Sequence, residues 1–142
     1  MESRHALPPR QRLLLAAVGL AACAALITAR TLDPDPRGYG THEQLGCSPC
    51  WFRKAVGWPC PACGMTTAWA YAVRGQVQAA VSVNAAGAIA CGLAAIAVPW
   101  LIASAAAGRW LIAKPTPRVV LLTATALFAL TLLDWARRLI AN

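Results

Sequence analysis

The sequence predicts an all-α membrane protein with about three transmembrane helices, a short interfacial helix and a cysteine-rich extramembrane loop. Three observations carry that prediction. The 142 residues are 58% hydrophobic and only 13% charged, where a soluble globular domain has about half and about a quarter. The apolar residues gather into three long uncharged runs. Four of the six cysteines fall between the first two runs, within residues 47–63. A chain of this length forms one domain, and this composition excludes an ordinary soluble enzyme.

Residues 1–12 form a basic tail, followed by an uncharged run from Leu13 to Ala29 between Arg12 and Arg30. A bilayer core of about 30 Å needs about 20 helical residues, so 13–29 is the first transmembrane helix. Its apolar stretch exceeds the usual core of a signal peptide, and residues 27–32 make a poor small-residue cleavage site, so the helix is read as uncleaved. The loop 30–64 opens with Thr31 to Gly40, rich in proline and glycine and resistant to helix and strand alike. Residues 65–84 read as interfacial helices: Thr66 to Val73, with Thr66 or Thr67 as cap, a break at Arg74-Gly75, then Gln76 to Val83. The second span, 85–107, is uncharged and would reach about 34 Å, with Pro99 bending it. A basic loop, 108–118, leads to the third span, 119–136, and the tail 137–142.

Trp100, Trp110 and Trp135 lie near the predicted helix ends, where an amphipathic ring prefers the headgroup layer. Trp51, Trp58 and Trp69 fall in the long connection, which can rest on the bilayer surface. Small residues recur at four-residue spacing in two stripes, Ala17, Ala21, Ala25 and Ala86, Ala90, Ala94. Such stripes let helices approach closely in lipid, although 32 alanines make stripes common by composition alone. Cys23 and Cys91 lie inside spans and read as small apolar packers.

The formal charge of +8 does not point to nucleic acid, because the basic residues sit singly or in pairs beside apolar runs. Arginine outnumbers lysine 11 to 2, as a GC-rich bacterial genome favours. The expected location is therefore the bacterial plasma membrane, multi-pass, in contact with lipid and with another membrane protein or a second copy. Positive-inside counting divides six against seven. Arg4, Arg10 and Arg12 around the first helix and the short Lys114 loop favour a cytoplasmic N-terminus. His5 and His42 are read as solvated. Asp134 pairs with Arg137 or Arg138 one turn on, at the bilayer edge.

The chemistry lies in Cys47-Ser-Pro-Cys50, nine residues, then Cys60-Pro-Ala-Cys63-Gly64. Two CxxC pairs can offer four thiolates to one tetrahedral zinc ion, with proline fixing the turn and Gly64 taking a positive φ. The same four cysteines can form structural disulfides, whose pairing the sequence leaves open. A third reading is thiol exchange: Cys60 and Cys63 precede a helix whose free amides would stabilise a thiolate.

The run Cys50, Cys60-Pro61-Ala62-Cys63-Gly64-Met65-Thr66, Arg74-Gly75 and Asn84 resembles the bacterial domain of unknown function 2752 family, small membrane proteins with a C-x9-CPxCGxT pattern. The likeness covers about two fifths of the chain, roughly residues 45–105. Thr67 stands where that family usually has arginine, Gln76 where it has aspartate and Ala85 where it has proline; Cys47 is additional. The resemblance implies membrane placement and the cysteine motif, and no reaction. The expected function is non-enzymatic, an accessory or assembly subunit whose loop is stapled by zinc or disulfides at Cys47, Cys50, Cys60 and Cys63. The alternative is a membrane thiol–disulfide oxidoreductase using Cys60 and Cys63. A transporter is disfavoured by the scarcity of charges within the spans.

Overall fold

The computed structural model describes residues 6–140, so Arg4 and His5 lie outside the described residues. Three helices are long and apolar enough to cross a membrane: α1 (Pro9–Thr31), α5 (Ala85–Ala107) and α6 (Pro117–Ile140). Between the first two lie a 3₁₀ turn, Thr41–Leu45, and the short helices α2 (Trp51–Val56), α3 (Met65–Ala72) and α4 (Val77–Val83). α1 begins ahead of its uncharged run because Pro9 suits a first helical position, where no amide partner is needed. α6, from Pro117 to Ile140, likewise outruns the expected span 119–136 at both ends.

α1 and α5 form the most extensive helix pair and run antiparallel. Their closest approach is at Gly19, where an added Cβ would stand 2.8 Å from Ile102 Cγ1. In lipid no hydrophobic drive pulls helices together, so small residues that permit backbone contact carry the packing. Of the two alanine stripes, Ala86, Ala90 and Ala94 are buried or half-buried, whereas Ala17, Ala21 and Ala25 are exposed. The buried positions on α1 are Gly19 and Ala29 instead.

Both ends of this pair are clamped by arginine. Arg12 Nε donates to the Ala105 carbonyl at 3.0 Å and its Nη2 to Ala106 at 3.3 Å, closing the last turn of α5. At the other end Arg74, just beyond α3, donates to Ala29 at 3.2 Å and Arg30 at 2.9 Å in α1, and to Ala70 in α3 at 2.8 Å. These carbonyls lie in the last turns of their helices, at the negative dipole end, and although Ala105 also accepts from Gly108 N at 3.3 Å, a cation there gains from both hydrogen bond and dipole. Arg74 thus ties α3 to α1 as well as ending a helix. The Trp100 and Trp110 rings meet near the first clamp, centroids 5.4 Å apart.

α6 packs on α5 alone among the helices, and most of its length stays exposed. Its C-terminal turn returns to the end of the molecule that carries the C-terminus of α1, the N-terminus of α5 and all the short helices. That end is the extramembrane cap. Trp51 and Trp58 project from it, 77% and 60% exposed, as expected for rings that meet a headgroup layer.

Candidate functional site

Within the cap the chain brings three of the four motif cysteines together. The sulphurs of Cys50, Cys60 and Cys63 all lie within 4.8 Å of one another. Cys47 is exposed and stands outside this group. All six cysteines are free thiols; Cys23 and Cys91 lie apart within α1 and α5.

Local sequence explains how the three meet. Cys50 immediately precedes α2, and its carbonyl accepts from Lys54 N at 3.1 Å. Cys60 to Cys63 form a tight turn closed by Cys63 N donating to the Cys60 carbonyl at 3.0 Å. Gly64 then takes φ +81°, the left-handed conformation the motif requires. A Cβ there would also lie 2.6 Å from the Gly38 carbonyl and 2.8 Å from Val83 Cγ1. Gly64 is itself the N-cap of α3, so neither Thr66 nor Thr67 caps it. Thr67 is buried instead, its Oγ1 2.8 Å from that of Thr41, whose oxygen also accepts from Asp35 N.

The backbone of the Cys60 turn is held from α5 and α6. Asn84 caps α5 by accepting from Gly87 N at 2.7 Å, and its Nδ2 donates to the Cys63 carbonyl at 3.1 Å. Arg138 donates to the same carbonyl at 2.8 Å and to Pro61 at 2.9 Å. Trp135 Nε1 donates to the Pro59 carbonyl at 2.7 Å. Asp134, buried, orients these cations: its carboxylate lies 3.1 Å from Arg138 Nε and 2.8 Å from Arg137 Nη2. The expected pairing of Asp134 with its neighbours holds, but the cluster's work is to fix the thiol turn. One signal was available in the sequence: Asp134 is the only acidic residue after Glu43.

The three thiols open onto a cavity of about 500 Å³ whose wall includes Arg37, His42, Glu43 and Lys54. His42, expected in solvent, is half-buried in that wall. The thiols differ in acidity. Cys50 is held below the ordinary thiol range, chiefly by the Arg53 backbone amide, with burial opposing. Burial first, and then the neighbouring Cys50 and Cys63, push Cys60 up to about 11. The helix-start effect expected for the Cys60 pair therefore falls on Cys50, at the head of α2.

A pocket of three soft sulphur donors suits zinc or another thiophilic cation. Three protein thiolates would leave one position of a tetrahedral ion without a protein ligand. Residues 50–98, about a third of the chain, match the model of a family described as a protein of unknown function, DUF2752. The match supports the resemblance read from the sequence. No curated protein and no solved structure matches the chain.

Proposed function

We propose that this chain, carrying its DUF2752 region at residues 50–98, is a membrane-anchored zinc–thiolate protein that acts as an accessory or assembly subunit. The observation that carries this reading is the convergence of Cys50, Cys60 and Cys63 within 4.8 Å. Rigid backbone support for two of them strengthens it. Cys47 is exposed three residues before Cys50, and a closed four-thiolate site would require it to join the cluster. Otherwise the fourth position accepts a donor from a partner, which suits assembly better than catalysis. The expected setting is the bacterial plasma membrane; zinc held by reduced thiols puts the cap on the cytoplasmic side, and so reverses the orientation read from the charges.

The test is metal content per chain with free thiols counted in the same sample, on protein purified in detergent without chelator or reductant. About one zinc per chain, lost in Cys50→Ser, Cys60→Ser or Cys63→Ser and retained in Cys47→Ser, supports a three-cysteine centre. Loss in Cys47→Ser as well supports the closed site. Absence of metal with all thiols reactive overturns the proposal.

A second reading, thiol–disulfide exchange, is favoured by the raised acidity of Cys50 beside two further thiols. The Cys50 thiolate would attack a substrate disulfide and expel one substrate thiol. Cys60 or Cys63 would then resolve the mixed disulfide, leaving a disulfide in this chain and a reduced dithiol substrate. This reading predicts that a resolving variant, Cys60→Ser with Cys63→Ser, accumulates a mixed disulfide through Cys50 while remaining folded.

A further inference from the structure

Beside the thiol cavity lies a second recess of about 330 Å³, sharing Cys63 as part of its wall. Four guanidinium side chains line it: Arg37, Arg53, Arg137 and Arg138. They come from three separate segments, the loop, α2 and the last turns of α6. Like charges in one recess repel unless anions offset them; Asp35, Glu43 and Asp134 pair three of the four, and Arg53 is left without one. No carboxylate lines the recess among the described residues. The acidic partners act from behind: Asp35 holds Arg37 at 2.7 Å, and buried Asp134 holds Arg137 and Arg138. Arg53 lies flat over the Tyr39 ring at 3.6 Å, with Arg37 over the same ring at 5.0 Å. Both cations are thus fixed in place by an aromatic face, and Arg53 has no carboxylate partner among the described residues.

We propose that this recess binds a phosphate group. Arg53 keeps its whole guanidinium fork for phosphate oxygens, and Arg37 and Arg137 keep Nη1, whereas Arg138 is engaged by Asp134, Cys63 and Pro61 and shapes the wall; a pre-positioned fork loses little freedom on binding. Arg137 and Arg138 belong to the end of a membrane-spanning helix, and Trp58, one residue from the recess wall at Pro59, is exposed beside it. That is the depth at which lipid phosphates lie. The phosphate comes either from an anionic lipid headgroup or from free phosphate. The site stands whatever the three thiols hold.

The experiment uses the full chain in maltoside micelles, which contain no phosphate. Short-chain phosphatidylglycerol and inorganic phosphate are titrated separately, with tryptophan fluorescence and native mass spectrometry as readouts. One probe saturating at one per chain supports the site, and which probe does so identifies the source. Arg53→Gln with Arg137→Gln is expected to weaken that binding about thirty-fold, at about five-fold per arginine. Arg53→Lys with Arg137→Lys keeps most of it. Should the double glutamine variant not fold, Arg53→Gln alone gives up only its ring contact and reads the same site. The control Arg10→Gln with Arg118→Gln removes the same charge from the opposite end and leaves binding unchanged. Saturation by neither probe, equal affinity in wild type and the glutamine variants, or equal loss in the control overturns the proposal.

Discussion

Arg138→Gln separates a structural role in the cap from ordinary surface charge, because its neighbour Arg137 provides an internal comparison. Arg138 is 14% exposed at its side chain and donates to the Pro61 and Cys63 carbonyls while facing the Asp134 carboxylate. Glutamine is too short and uncharged to repeat both bonds. The Cys63 carbonyl keeps its Asn84 donor, and Asp134 keeps Arg137 at 2.8 Å. The loss therefore reduces to two charge-assisted hydrogen bonds at about 1.5 kcal/mol each, about 3 kcal/mol together. That corresponds to about a hundred-fold in the folding equilibrium. Arg137 is 54% exposed and engages the same carboxylate, so solvent screening holds its replacement to under about 1 kcal/mol. Reversible unfolding in mixed micelles, followed by tryptophan fluorescence, measures both variants. Trp135 reports directly, since its indole bonds Pro59 in the same turn. Equal destabilisation by Arg137→Gln and Arg138→Gln would refute the reasoning, as would an Arg138→Gln protein within about 0.5 kcal/mol of wild type.

Three further outcomes are expected. In metal-free protein, Cys50 alkylates at least ten-fold faster than Cys60 at pH 8, where a thiol titrating at about 11 is thiolate in roughly one part in a thousand. As pH rises the Cys60 rate keeps climbing towards pH 11, whereas the Cys50 rate levels off below the ordinary thiol value; mass spectrometry of timed aliquots checks both. Gly64→Ala destabilises by more than about 2 kcal/mol in the same unfolding assay, combining left-handed backbone with contact against the Gly38 carbonyl. Gly19→Val forces α1 away from Ile102 and costs about 1–3 kcal/mol by overpacking, while Ala17→Val on the exposed face stays within about 0.5 kcal/mol.

The spans were legible because a bilayer imposes a length and an absence of charge, and both can be counted along a sequence. The left-handed Gly64 was legible for a similarly local reason: a CPxCG turn leaves one residue that must turn backwards. Other features depend on what one segment meets in another. Alanine spacing alone gives no reason to prefer Gly19 over Ala17, because the choice depends on which face α5 approaches. Thr67 reads as a helix cap until Thr41, distant in sequence, offers its hydroxyl. Cys47 and Cys50 are alike as a CxxC pair, with only the family pattern marking Cys47 as additional, and the fold parts them because α2 begins after Cys50 and carries it to the Cys60 turn. The arginines divide in the same way. Arg12 and Arg74 look like boundary charges, yet each also closes a neighbouring helix by binding carbonyls the sequence does not pair.

The position of α6 follows from the same physics. Within lipid the helix has little apolar surface buried against α5, and hydrocarbon gives it no reason to leave the surrounding chains. Its specificity therefore comes from polar contacts at the boundary, where an unpaired donor or carbonyl is expensive. Trp135 and Arg138 supply those contacts, with Asp134 orienting Arg138, and the carbonyls that accept from them belong to Pro59, Pro61 and Cys63. The residues that place the helix are consequently the ones that shape the turn presenting Cys60 and Cys63. A ligand that draws those sulphurs together acts on the carbonyls of the same turn, and so on α6. Metal loading should then protect the amides in the last turns of α6 from hydrogen exchange, an effect that Arg138→Gln would uncouple and Arg137→Gln would leave intact.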